Sequence, residues 1–262
     1  MQQEFHNAAR FWGMDSPSLL VSVRSLKEAQ QVWPRPVAIL DFKEPADGSL
    51  GQASPELLGD FLRWKKQQHE LDCNRPEPLL SFANGELAHQ SLPLIDQISS
   101  DIASEFHFAK VGLADCQQRD WRSHWDRHFA GLSNLKPVMV SYVDHDSCRA
   151  PSPSECLQHA MAHPKCDTIL LDTFGKSADL FGFISIEQIQ KLVAIAHENA
   201  MRVVVAGSIN SGNLSRVLVS KPDAIGVRGA VCRGDRASEL CVTKLSRLLE
   251  QLAQASILSA PN

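Results

Sequence analysis

Residues 168–210 read TILLDTFGKSADLFGFISIEQIQKLVAIAHENAMRVVVAGSIN. The segment opens on one near-continuous apolar run, TILLDT (168–173), and closes on another, RVVVAGS (202–208). Runs that are apolar at successive positions, rather than alternate ones, suit strands covered on both faces of a parallel sheet. Between them, SIEQIQKLVAIAHENA sets Ile186, Ile189, Leu192, Val193 and Ala196 at steps of three and four. With Ser185 as N-cap and Glu187 in the first turn, this predicts an amphipathic crossover helix.

Six further runs of the same kind occur: LLVSV (19–23), VAILDF (37–42), LLSFA (79–83), FHFAKVGL (106–113), PVMVSYV (137–143) and AIGVRG (224–229). Helical spacing recurs between them, as in SPELLGDFLRWKKQQHEL, where Leu57, Leu58, Phe61, Leu62 and Trp64 gather on one side. Eight strands alternating with helices in 262 residues predict a single (β/α)8 TIM barrel, an α/β fold. The expected division is an N-terminal tail (1–18), the barrel (19–250) and a C-terminal tail (251–262), with no second domain. CNRPEP (73–78) and the Pro/Ser-rich SCRAPSPSEC (147–156) read as connections.

Composition excludes several classes. Lys+Arg 26 against Asp+Glu 30 gives a net charge of −4, with no basic excess for a nucleic-acid backbone. No run approaches the roughly 18 apolar residues of a membrane span, and the first 23 residues lack a signal-type pattern, so a cytoplasmic location without membrane attachment is expected. The 7 Cys contain no C-x-x-C pair and read as reduced thiols.

In such a barrel the chemistry belongs where strands end, because the βα-loops converge there. The second run ends in Asp41-Phe42-Lys43, the fourth holds Lys110, and the sixth ends in Asp172 with Lys176 four residues on. Two apart on a strand, Asp41 and Lys43 face the same side. Lysines in apolar strands must be paired, deprotonated or in a wet cleft. A lowered lysine pKa frees an amine that adds to a carbonyl to form an imine, whereas ion pairing is the plainer alternative. After the seventh and eighth runs come AGSIN, with Gly207 and Ser208, and VRGAV, with Arg228 and Gly229. Loops there often give backbone N–H groups to a phosphate, with Arg228 either a phosphate clamp or an ion-pair partner. The acidic, glycine-bearing EPADGSLG (44–51) reads either as a tight cover over the pocket or as a plain connection.

Other signals carry less. His124/His128 and His159/His163 are four apart but lack the Glu of H-E-x-x-H, so no metal is expected. Asp144-His145-Asp146 reads as a solvated loop. No phosphate-binding G-x-x-x-x-G-K-[ST], dinucleotide G-x-G-x-x-G or G-x-S-x-G elbow occurs, and no cofactor is expected.

The blocks LLVSVRSLKEA, ILDFKEPADGSLG, AKVGL, ILLDTFGKSADLFGFIS, VVVAGSI and GVRGAVCRGDR, in this order and spacing, resemble the (5-formylfuran-3-yl)methyl phosphate synthase family from Leu19 to about Leu249. The resemblance implies a (β/α)8 lyase that condenses two glyceraldehyde 3-phosphate molecules into a furan aldehyde phosphate, with loss of phosphate and water, on the route to methanofuran. It implies Lys43 as the imine-forming lysine and Lys110 as its proton-transferring partner, here a base. Asp41 and Asp172 would place protons, and Lys176 would steady phosphate or enolate charge. Archaeal members tend to carry another lysine near the third strand, where this chain has Arg75 and Glu77. With the 147–156 loop and the N-terminal tail, that departure suggests a bacterial-type branch serving one-carbon metabolism. The expected partner is a small-molecule triose phosphate, with a homo-oligomer left open. The alternatives are another Schiff-base phosphosugar aldolase or isomerase on the same barrel, or a non-catalytic phosphate-ligand binding subunit.

Overall fold

A computed structural model describes residues 17–71, 77–175 and 178–259. Residues 1–16 of the expected N-terminal tail, together with Cys73, Arg75 and Lys176, lie outside the described residues. Eight parallel strands close into one barrel in sequence order: β1 (Ser18–Val23), β2 (Ile39–Phe42), β3 (Leu79–Glu86), β4 (Phe108–Gly112), β5 (Lys136–Tyr142), β6 (Thr168–Asp172), β7 (Arg202–Val205) and β8 (Ala224–Val227). Closure is made by β1, which pairs with β2 through Leu20↔Ile39 and with β8 through Leu20↔Gly226.

The strands alternate with α1 (Leu26–Val32), α2 (Pro55–Leu71), α3 (Ser100–Glu105), α4 (Trp121–His128), α5 (Pro153–Ala162), α6 (Ile186–Glu198), α7 (Leu214–Leu218) and α8 (Val242–Ser259). The chain dictates where several of them begin. Ser185 caps α6, accepting from the Gln188 amide while the Gln188 side chain returns to the Ser185 amide. The same reciprocal cap, Ser152 with Glu155 and with Pro153 in the first turn, starts α5 inside the 147–156 stretch that reads as a connection. The last helix continues to Ser259, past the boundary expected at residue 250, because Leu245, Leu248 and Leu252 bury one face of it.

Strand periodicity sorts the apolar residues into two shells. Leu19, Val21, Leu40, Phe42, Leu80, Phe82, Val203 and Val205 point outward into the layer beneath the helices. There Phe42 meets Phe61 at 4.8 Å and Phe106 at 5.7 Å between ring centroids. Leu20, Ile39, Leu79, Phe108, Val138, Leu170 and Val204 fill the barrel itself. The consequence for function lies two residues further along each strand. The inward row continues from Leu20 to Ser22, from Ile39 to Asp41, from Phe108 to Lys110 and from Leu170 to Asp172, so the filling turns from apolar to ionisable toward the strands' C-terminal ends.

Candidate active site

Asp41 and Lys110 form the deepest ionised contact of this row. Their side chains are 1% and 4% exposed, and the Lys110 ammonium donates to Asp41 Oδ1. Asp41 Oδ2 accepts the Ser22 hydroxyl at 2.9 Å, so strands β1, β2 and β4 are joined through one carboxylate. A buried charge needs this degree of satisfaction to be tolerated.

Lys43 follows Asp41 on the same side of the chain, just past the end of β2. Its amine donates to the Ser49 carbonyl at 3.2 Å. Burial pulls its pKa down to about 8, against the pull of Asp172 and Asp41 in the other direction, with Lys110 and Arg236 adding to the depression. A lysine of this kind holds a sizeable free-amine fraction near neutrality.

The 44–51 loop is a wall of the site. Its ends close through the Glu44 amide on the Gly51 carbonyl at 2.9 Å, and a side chain at Gly51 would lie 1.9 Å from the Glu44 carbonyl oxygen. Gly48, at φ +110°, makes the turn that a residue with a side chain would strain. Folded this way, the loop aims the Ser49 hydroxyl at Asp172 Oδ2 (3.2 Å) and the Thr173 carbonyl (2.9 Å). Asp172 Oδ1 accepts the Thr173 amide at 2.7 Å.

These groups line a cavity of about 710 Å³, within the range of about 300–1,000 Å³ usual for small-molecule sites. Its wall brings together Asp41, Lys43, Lys110, Asp172, Gly207, Ser208, Arg228 and Gly229 from the residues singled out in the sequence. Gly207 (φ +101°) and Ser208 (φ +56°) turn the chain sharply after β7, with Gly207 packed against Thr173. Arg228 was open between two roles, and its guanidinium is occupied by the protein. Nη1 and Nη2 grip Glu28 at 2.5 and 3.1 Å, while the remaining donors go to the carbonyls of Arg236, Ser22 and Ser238. All five donors are thereby used, which makes Arg228 an ion-pair partner and brace.

Three further residues belong to the site without having been singled out in the sequence: Ser22 and Arg236 on the wall, and Ser49, which touches Lys43 and Asp172. The serines are reachable from the pattern, since Ser22 occupies the inward row and Ser49 sits in the cover loop. Arg236 is the last residue of the GVRGAVCRGDR block, in the polar segment that leads from β8 to α8, and nothing in its local pattern marks it out.

The other ionisable signals serve the fold. Asp144 accepts the Phe174 and Gly175 amides at 2.7 Å each, tying down the loop after β6. His159 meets Asp126 at 2.8 Å, His124 the Gln90 carbonyl at 3.0 Å and His128 the Leu92 carbonyl at 3.3 Å. Glu77 pairs with Lys65 at 3.2 Å. Among the described residues no group of three or more His, Cys, Asp or Glu is placed to hold a metal, and no helix is long and apolar enough to cross a membrane.

The solved structure of phosphoribosyl anthranilate isomerase from Thermus thermophilus superposes with a TM-score of 0.58 at 15% identity, over 91% of this chain and 99% of that one. A Thermotoga maritima phospho-2-dehydro-3-deoxyheptonate aldolase gives 0.59 at 14% identity, over 95% and 71%. Both likenesses are of fold alone. Sequence relatives are more informative. Proteins named (5-formylfuran-3-yl)methyl phosphate synthase from Archaeoglobus fulgidus and Methanopyrus kandleri are 26% and 28% identical, over 88% and 91% of this chain and 97% and 98% of theirs. The model of the 4-HFC-P synthase family matches residues 19–249, the whole barrel from β1 into α8, and the chain belongs to that family.

Proposed function

We propose that the protein condenses two glyceraldehyde 3-phosphate molecules into (5-formylfuran-3-yl)methyl phosphate through a Schiff base on Lys43, as a carbon–oxygen lyase of cytoplasmic methanofuran synthesis without a cofactor. The observation that carries the reading is the meeting of Lys43, Lys110, Asp41 and Asp172 beneath one cavity, in a chain of this family.

The free amine of Lys43 attacks the aldehyde carbon of one triose, and the carbonyl oxygen leaves as water to give the imine. Asp172, beside Lys43, takes the proton from the adjacent carbon, which then adds to the aldehyde of the second triose. Lys110, hydrogen-bonded to Asp41 at the floor of the cavity, exchanges protons with the substrate carbons and the departing oxygens. A hydroxyl of the second triose closes the ring on the imine carbon and displaces the Lys43 amine, and loss of phosphate and dehydration complete the furan. Backbone amides around Gly207, Ser208 and Gly229 receive phosphate, with Arg228 bracing them from behind. The family resemblance gives Lys176 the part of steadying phosphate or enolate charge.

The test is incubation with glyceraldehyde 3-phosphate, with borohydride added to one portion and mass spectrometry of both product and protein. Furan formation with an adduct on Lys43 supports the proposal. An adduct without furan points to a different phosphosugar aldolase, and neither to a binding subunit.

A further inference from the structure

The segment between β8 and α8 is a bracket built around Arg236. Its carbonyl accepts from Arg228 Nε at 2.8 Å, the Ala237 carbonyl from Arg24 Nη1 at 2.6 Å, and the Ser238 carbonyl from Arg228 Nη2 at 2.9 Å. Three consecutive carbonyls are thus hooked by two arginines. Asp235 closes the turn, its carboxylate accepting the Ala237 and Ser238 amides and the Ser238 hydroxyl at 3.0 Å each. So much anchoring is far more than a solvent loop needs, and it fixes the half-buried Arg236 on the cavity wall.

There the guanidinium donates across the mouth to the Gly48 carbonyl at 2.6 Å. Arg228, its neighbour, has every donor engaged inside the protein, whereas the guanidinium of Arg236 makes a single hydrogen bond among the described residues, to a neutral acceptor. Charge is also unbalanced around it. Asp41 is taken by Lys110 and Glu28 by Arg228, so Asp172 stands opposite both Lys43 and Arg236. Burial pushes the Arg236 pKa down, the cost of a desolvated cation that lacks a full counter-charge. A phosphate supplies that charge and matches a guanidinium fork in geometry.

We propose that Arg236 recognises the phosphate of the triose in the site, exchanging the Gly48 carbonyl for phosphate oxygens, and so selects phosphorylated over unphosphorylated aldehydes. This rests on the triose-phosphate reading above. The test uses wild type, Arg236→Gln and Arg236→Lys, with inorganic phosphate titrated by calorimetry. The rate of borohydride-trapped adduct formation on Lys43 is compared for glyceraldehyde 3-phosphate and glyceraldehyde. The expected result is phosphate binding weakened about tenfold or more in Arg236→Gln, a trapping ratio lowered by a similar factor, and intermediate behaviour in Arg236→Lys. Wild-type phosphate affinity or an unchanged trapping ratio in Arg236→Gln overturns the proposal and leaves Arg236 as a latch between two loops. So does a wild-type protein that binds no phosphate. If wild type traps neither aldehyde and makes no furan, yet loses phosphate affinity with Arg236→Gln, the triose reading falls while the anion-recognising role of Arg236 stands.

Discussion

Lys110 and Asp41 are joined inside the barrel from β4 and β2, the two strands that flank β3, and both side chains are almost wholly buried at the floor of the cavity. Removing one member leaves the other charge unpaired, which costs about 3–5 kcal/mol in comparable buried pairs. Asp41→Asn is therefore expected to lose about that much in urea unfolding, and the double variant Asp41→Asn with Lys110→Met to recover most of it. Activity should be lost in both. A single variant as stable as wild type would mean that the pair is wetter than its geometry indicates.

Lys43→Arg keeps the positive charge but cannot form an imine. Adduct trapping should vanish and turnover fall at least about 1,000-fold, with thermal unfolding little changed. With an imine on Lys43, the nucleophile is the deprotonated amine, whose pKa burial pulls down to about 8. The rate of imine formation should accordingly rise with pH and level off above about 8. A limb near the ordinary lysine value of about 10.4 would argue that the amine is not desolvated before substrate arrives.

Gly51→Ala places a methyl group on the Glu44 carbonyl, at a spacing of 1.9 Å that only backbone movement relieves. Since the 44–51 turn delivers Ser49 to Asp172 and to Lys43, the variant should lose both stability, by about 2 kcal/mol, and turnover. Retention of full activity would show that the turn covers the site without shaping it.

Glu28 lies behind the cavity wall, yet it holds the Arg228 fork together with the Arg24 and Leu240 amides. Glu28→Gln leaves a buried guanidinium uncompensated and should lower Tm by several degrees while raising KM, because the bracket carrying Arg236 loosens. An unchanged Tm would remove Arg228 from the role of brace.

His128 is neutral in the folded protein, with burial pulling its pKa down to about 4. One ring nitrogen faces the Leu92 carbonyl and the other the Asn84 amide, so a second proton has no acceptor. The unfolded chain binds that proton below about 6.5 and the folded one only near 4. Stability is thus complete above about pH 6.5 and falls as pH drops toward 4, by up to about 3 kcal/mol. His128→Gln should flatten that part of the pH–stability curve; an unaltered slope would assign it to other groups.

The barrel was legible because its strands are apolar on both faces, and the period of two already placed Asp41 beside Lys43. The length of β3 was not, since Asn84, Gly85 and Glu86 continue the strand past the apolar run and the pairing with β4 shifts there. Arg228 was undecidable from the sequence because its partner stands 200 residues earlier, and no local pattern links the two. Arg236, the last residue of the GVRGAVCRGDR block, is not singled out there for a related reason: what matters about it is which carbonyls it and its neighbours lend to distant arginines.

The Glu28–Arg228 pair also sets an order of events during synthesis. Glu28 emerges from the ribosome early and waits for a counter-charge until nearly the whole chain has followed. Until then β1 lacks its pairing with β8 and Glu28 its cation, and the mouth that holds Lys43 is unfinished. Since it is burial that lowers the Lys43 pKa, that property belongs to the finished ring of eight strands and not to the short segment that carries the lysine.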